Sequence, residues 1–466
     1  MYLAFHGAAD EVTGSLHRLH VGRVDLALDC GLFQGRREEA NRNNREVPAW
    51  ALSAHALVLS HAHLDHSGNI PTLVRRGFRG NIFCTPATRD LCSVMLRDAA
   101  ILQDQDARYI NEHHQREGSP ERVSPLYGVE DAEQAISQMI CIPLHRPFPV
   151  APSVSVTFHD AGHVLGSALV ALDIEEAGDR RRLLFTGDLG RAELPLLDSP
   201  EVVSGVQVLL MESTYGDRDH PSVAELDAEL GRIVQNTIAR GGRVYIPTFA
   251  LERAQEVLFS LERLHERGLV PRVPIYIDSP LAIAITEIYK LHPEGLSPDV
   301  RQRIRERDDP FSPPGLHYVA QIADSHRLQA SADPCIVIAG SGMCEGGRIL
   351  HHFTHALGQE KNSVVIVGFM AQHTLGRRLL EGRPRVKVFG VERDVRASIH
   401  ALGGLSAHAG QRDLVTFAEA TARAGTLAQV LLVHGEPAAR ASLAQRLAER
   451  LSVPVLRPVR GQIVSL

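Results

Sequence analysis

The sequence predicts an α/β protein built in layers, with a second α/β domain of parallel strands inserted into the first. Three observations predict it. In the first ~215 residues, short apolar strands each end at, or just before, a polar residue able to carry chemistry, as in layered α/β folds where ligands gather at strand ends. From ~218 to ~395, strands alternate with longer amphipathic helices, the pattern of parallel βαβ units. From ~396 the earlier style returns, with histidines again at strand ends. A chain of 466 residues is also too long for one simple core. The expected division is therefore 1–217 and 396–466 for the outer domain and 218–395 for the insert.

The elements follow in order. Val24 to Asp29, Ala56 to Ser60, Ser153 to Phe158, Ala168 to Ile174, Arg182 to Thr186 and Val206 to Met211 read as strands, and 86–140 reads as helical. In the insert, Arg243 to Ile246 leads into a helix with i, i+3, i+4 apolar spacing over Leu251 to Leu264. Cys335 to Ala339 and Val364 to Val367 are further strands, the first followed by Gly340-Ser341-Gly342-Met343 and a helix. The charged, Pro-rich stretch Arg301 to Pro314 reads as a mobile connection. Leu431-Leu432-Val433 is the last strand that ends on a histidine.

Composition narrows the function classes. An apolar fraction of 44% and a charged fraction of 22% belong to an ordinary soluble globular protein. No signal peptide is evident, and no apolar run reaches the roughly 20 residues needed to span a bilayer. The six scattered cysteines form no CxxC pair and read as reduced thiols of a cytoplasmic protein. A net charge of −6 argues against a general nucleic-acid coat protein, although bound divalent ions would offset several acidic residues. Only three of the 49 basic residues are lysines. Arginine suits phosphate binding, but a GC-rich genome accounts for such a ratio.

The chemistry concentrates in His61-Ala62-His63-Leu64-Asp65-His66. Neutral imidazole and carboxylate are the ligands of zinc and similar divalent metals. Two histidines two residues apart on an extended segment point to one side, so His61 and His63 fit one ion, and Asp65 and His66 a second. His163, Asp188, Asp29 and His434 recur in order at strand ends, each beside small residues. Taken singly, such a residue is ordinarily a turn or cap; the ordered set points to a two-metal hydrolase.

At this point the chain resembles the metallo-β-lactamase superfamily, whose signature is HxHxDH followed by a distant His and Asp. Glu212 in Met211-Glu212-Ser213-Thr214, His408 in Ser406-Ala407-His408 and His434 in Val433-His434-Gly435-Glu436 match the three further motifs of its β-CASP branch, the metal-dependent nucleases. Ile246 to Ala250, Tyr276 to Ala282 and Ser341-Gly342-Met343 look like that branch's inserted domain. The resemblance implies an αββα sandwich carrying the β-CASP insert. It implies one Zn2+ on His61, His63 and His163 and a second on Asp65, His66 and His434, with Asp188 bridging; Mn2+ or iron would also suit such ligands. Asp29 would orient a ligand histidine. Asp65 would accept a hydrogen bond from a bridging hydroxide, and His408, oriented by Glu212, would protonate the leaving oxygen.

A histidine at the motif of His434 marks the RNA-acting members, and the compact form is similar to bacterial and archaeal relatives of the endonuclease subunit of the cleavage and polyadenylation specificity factor. The expected substrate is single-stranded RNA, processed or degraded, with the insert excluding a stiff duplex. Thr248, Arg253, Ser341, Gly342, Arg348 and Arg377 lie where they could meet its phosphates. Both endonuclease and exonuclease action fit such a centre. A homodimer is compatible with the sequence, and no membrane partner is expected. The competing readings are a DNA nuclease, thioesterase, lactonase or β-lactamase on the same scaffold, and a non-catalytic RNA-processing scaffold.

Overall fold

Among the described residues, two seven-stranded sheets, one six-stranded sheet and one two-stranded sheet carry the chain. The computed structural model describes residues 1–35, 37–192, 194–368, 370 and 373–466. Its contacts divide into two units. The first comprises Met1–Ala192, Ser199–Asp219 and His408–Leu466; the second is His220–Ala407 with a short piece ending at Asp198.

In the first unit, one sheet runs in the order Ile463–Ser465, Tyr2–Gly7, Leu16–Val21, Val24–Leu28, Ala56–Val58, Asn81–Cys84, Met139–Cys141. The other runs Val455–Leu456, Gln429–Leu432, Val208–Met211, Asp179–Phe185, Ala168–Glu176, Val154–Asp160, Phe148–Ala151. The two pack face to face: Leu19, Leu26 and Val58 share a core with Val156, Val170, Leu172, Phe185 and Leu210. The intervening Leu169, Ala171, Leu184 and Leu209 face the other way, onto Leu414, Phe417, Leu443 and Leu447 of helices Gln411–Arg423 and Pro437–Arg450. Side chains alternate across a strand, so a strand covered on both faces reads as a continuous apolar run. Helices Ala49–Leu52 and Pro86–Arg116 lie against the first sheet, completing the αββα sandwich.

The topology positions the chemistry. Val24–Leu28, Ala56–Val58 and Asn81–Cys84 are parallel, as are Asp179–Phe185, Val208–Met211 and Gln429–Leu432. Their C-terminal ends release Asp29, the His61–His66 segment, Asp188, Glu212 and His434 at one end of the sandwich.

The second unit has six parallel strands in the order Leu316–Tyr318, Ile275–Asp278, Ile336–Ala339, Val244–Pro247, Ser363–Ile366, Ser398–Ala401. The last of these carries the unit beyond the expected junction at 395/396: it pairs with Ser363–Ile366, and the chain rejoins the first unit only at His408. The stretch Arg301 to Pro314 also departs from expectation. It finishes helix Pro298–Arg305, Phe311 is fully buried against Tyr289, and Lys290 pairs with Asp309 at 2.7 Å. Charge and proline content masked one apolar anchor. Helix Arg253–Glu266 starts two residues later than its apolar periodicity suggests, because Glu252 takes a left-handed backbone (φ 69°). None of the six cysteines forms a disulfide, and five of them are buried while Cys141 is exposed. No helix among the described residues is long and apolar enough to cross a membrane.

Candidate metal centre and its acid group

The segment after strand Ala56–Val58 runs irregularly through His61 and turns into the short helix Leu64–Ser67, with His63 at its N-cap. That turn splits the six-residue cluster. His61 and His63 face His163 and Asp188, while Asp65 and His66 face His434. Backbone packing holds the turn: Ser15 N–H donates to the Asp65 carbonyl at 2.8 Å, and a Cβ on Gly31 would lie 1.6 Å from that same oxygen. Only glycine lets the Asp29–Gly31 strand end pass there.

Two donor sets result. His61 Nε2 and His163 Nε2 each lie 3.2 Å from His63 Nδ1 and 3.5 Å from Asp188 Oδ2. His66 Nε2 lies 3.1 Å from His434 Nε2 and 3.3 Å from Asp188 Oδ1, and His434 Nε2 is 3.5 Å from Asp65 Oδ2. Two ligand atoms bound tetrahedrally at 2.0–2.1 Å to one ion stand about 3.4 Å apart, so both sets have the spacing of a coordination shell. Asp188 is 1% exposed, yet neither oxygen has a hydrogen-bond partner of proper geometry. A buried carboxylate in that state needs a cation. The residues fit two divalent ions sharing Asp188.

Protonation agrees. Burial holds His61 and His163 well below the ordinary imidazole range and His63 at about 4, leaving lone pairs for metal. Burial opposes ionisation of Asp65, but the His434 bond and the charges of His66 and His434 outweigh it and lower its pKa to about 2. Asp188 is likewise held well below the carboxylate range, burial being outweighed by His434 and His66. His66 is raised well above the usual value: burial opposes its charge, but Asp188 and Asp29 flank it. A metal ion would take the place of that proton.

Asp29 packs against His66 and Ser60. Its Oδ2 accepts from His66 Nδ1 at 2.7 Å, and its Oδ1 accepts from the Ser60 amide at 2.8 Å. Asp29 and His434 both adopt left-handed backbones, φ 59° and 49°, a strained state for non-glycine residues that clusters at functional sites. Ser60 Oγ meets His61 Nδ1 at 3.0 Å, and Thr214 Oγ1 meets His434 Nδ1 at 3.1 Å. Sequence reasoning gave neither hydroxyl a role; the adjacency of Ser60 to His61 was the one available signal.

His408 Nδ1 and Glu212 Oε1 are 3.0 Å apart, and His408 Nε2 is 3.8 Å from Asp188 Oδ2. Glu212 is fully buried and also accepts from the Leu189 and Thr214 amides at 2.9 and 3.0 Å, so its position is fixed from three sides. Burial works against a charge on His408, but Glu212 and then Asp188 outweigh it and raise its pKa to about 9.

The expected phosphate contacts are less uniform. Thr248 is buried with its hydroxyl unpartnered, and Gly342 packs so closely on exposed Phe249 that a Cβ would lie 2.6 Å from the ring. Ser341 Oγ is used internally, accepting from the Glu345 and Gly346 amides at 3.1 and 3.2 Å. Arg253 is buried beside Glu256 (3.9 Å). Arg348 is committed to Asp278 and to the Val319 and Ala320 carbonyls, each at 2.7 Å, and Arg377 pairs with Glu381 at 3.1 Å.

Sandwich, donor sets and insert together define a metallo-hydrolase of the β-lactamase superfamily. The model of the beta-lactamase superfamily domain matches residues 26–271, that of the Beta-Casp domain 254–379, and that of the Zn-dependent metallo-hydrolase RNA specificity domain 392–458. The chain belongs to the β-CASP branch of the metallo-β-lactamase superfamily. It is 38% identical to "Ribonuclease TTHA0252" of Thermus thermophilus over 99% of this chain and 96% of that protein. It is 29% identical to an "RNase J-like protein" of Methanocaldococcus jannaschii over 100% and 99% of the two chains. To "Transcription termination factor FttA" of the same archaeon it is 30% identical, over 93% of this chain and 67% of the factor. A crystal structure of an Enterococcus faecalis protein of unknown function shares the fold, with a TM-score of 0.56 at 14% identity over 100% and 99% of the chains.

Proposed function

We propose that this chain is a metal-dependent ribonuclease that hydrolyses phosphodiester bonds of single-stranded RNA. The observation that carries the reading is the pairing of two metal-spaced donor sets around Asp188 with a histidine–carboxylate couple, His408–Glu212, aimed at the same carboxylate. A structural metal site needs no such couple. The ribonuclease names of the relatives and the match to an RNA specificity domain support RNA as the substrate.

His61, His63, His163 and Asp188 would hold one Zn2+, and Asp65, His66, His434 and Asp188 the other. When bound, the ions supply Lewis acidity toward water and phosphate oxygen. Asp65, the most exposed carboxylate of the set at 24%, accepts the hydrogen of the attacking water and aims its lone pair. Asp29 and Thr214 lock the ring orientations of His66 and His434. His408 donates from Nε2 to the leaving oxygen, while Glu212 accepts its Nδ1–H and steadies the positive ring. Divalent ions beside Asp188 would offset the charge of that carboxylate at His408. In the insert, exposed Phe249 is the favoured point of RNA contact, since Thr248 and Gly342 are buried, Arg348 is engaged within the protein and Arg377 pairs with Glu381.

The test is incubation with single-stranded RNA labelled at either end, with duplex RNA, single-stranded DNA and nitrocefin in parallel and metal content measured on the same preparation. Cleavage confined to single-stranded RNA, lost in Asp65→Ala and His66→Ala, is expected. Intact RNA alongside nitrocefin turnover would overturn the reading, as would unchanged cleavage by either variant.

A further inference from the structure

A second set of metal-type donors lies outside the centre just described, on the first unit alone. His145 precedes strand Phe148–Ala151, His159 lies on strand Val154–Asp160, and Glu201 lies in the loop that leads to strand Val208–Met211. His145 Nε2 is 2.9 Å from Glu201 Oε1, His159 Nδ1 is 3.3 Å from Glu201 Oε2, and one donor atom from each residue falls within 4.8 Å of the others. The imidazoles are 5.5 Å apart between centroids and inclined at 64°, so neither blocks the other's nitrogen.

We infer that His145, His159 and Glu201 form a third, peripheral site for a single Zn2+ ion. Two imidazoles and one carboxylate are a borderline donor set that suits zinc over calcium or magnesium. The side chains are 58%, 21% and 36% exposed, which leaves the fourth tetrahedral position to water.

The donors are pre-positioned. His145 holds a left-handed backbone, φ 62°, which a solvent-facing histidine would ordinarily relax. Its amide donates to the Phe158 carbonyl at 2.8 Å and keeps it there. Glu201 is tied twice to one residue: its amide donates to the Asp160 carbonyl at 3.0 Å, and its Oε1 accepts from the Asp160 amide at 3.2 Å. The protonation states suit a cation. Burial lowers the pKa of His159, and Glu201 stays below the usual carboxylate range because the His145 bond and the Asp160 amide outweigh its own burial. An ion here would cross-link three segments, one of them the strand that runs on to His163.

Equilibrium dialysis of the purified protein against Zn2+, with zinc counted by mass spectrometry, tests the site in wild type, His145→Ala and Glu201→Gln. Wild type is expected to bind one equivalent more than either variant. Zinc beyond the amount that saturates the catalytic centre should raise the unfolding temperature of wild type by several degrees and leave both variants unmoved. Equal zinc uptake by all three proteins would overturn the inference and leave the cluster a plain ion pair. His145→Ala removes an exposed ring and keeps the comparison available if Glu201→Gln does not fold.

Discussion

His66 sits between Asp29 and Asp188, and its neighbours decide what each substitution near it will do. Asp29→Asn keeps the shape but weakens the acceptor for His66 Nδ1; a fall in zinc affinity of about 10–100-fold is expected by competition with a chromophoric chelator. His408→Ala should leave zinc content intact and slow RNA cleavage by about 10²–10⁴-fold, the range of a lost general acid, when single-turnover rates are compared. A variant that loses zinc together with activity would make His408 a ligand instead. At this scale the sequence was most legible where residues are close in the chain. His61, His63, Asp65 and His66 announce themselves. The orienting hydroxyl of Thr214 does not, because its contact with His434 spans 220 residues. Arg348 shows the converse: an arginine in a plausible position turns out to serve buried Asp278, and no local pattern reveals such a partner.

Strands and loops explain why the donors stay in register. Gly190 passes the loop that carries His163 so closely that a Cβ would lie 1.8 Å from the Gly162 carbonyl oxygen. Gly190→Ala must push those loops apart, and reduced zinc content with a lower unfolding temperature is the expected result. In the insert, fully buried Asp278 accepts from Arg348, His352 and Ser325 at 2.7, 2.7 and 2.6 Å. Asp278→Ala should destabilise that unit by about 3 kcal/mol in urea unfolding, the low end for a broken buried pair, because Arg348 is 19% exposed and can recover water. Strands buried on both faces were readable from continuous apolar runs such as Val208–Met211. Two features were not. The strand Ser398–Ala401 has no such run, since its residues are only partly buried, and Phe311 anchors a stretch whose charges suggested exposure.

Over the whole molecule, buried histidines set the response to acid. His17 lies between Phe5 and Phe185, 1% exposed, with neither ring nitrogen hydrogen-bonded. Burial lowers its pKa from 6.5 to about 3. The folded state therefore refuses a proton that the unfolded chain accepts below 6.5. Its contribution to stability is complete above that value and declines as pH falls toward 3, at about 1.4 kcal/mol per pH unit. Between pH 7.5 and 5.0, wild type should lose about 2 kcal/mol more than His17→Leu in denaturant titrations. Equal losses would mean that His17 is not the group responsible. The two-unit plan was visible in the change of helix–strand rhythm, and its return point was not, because the chain rejoins the first unit through a loop rather than at a change of composition.

The placement of His434 has a consequence in time. A polypeptide is made from its first residue onward, so a growing chain displays His61 to His66, then His163 and Asp188, long before the second donor set can close. His434 arrives with the strand Gln429–Leu432, and its amide bonds back to the Ala8 carbonyl at 2.7 Å. His408 arrives late as well. A chain stopped before residue 408 therefore lacks one donor of the second set and the partner of Glu212. For a nuclease of RNA, that order of appearance would keep the site incomplete until residues 408 and 434 have both been added.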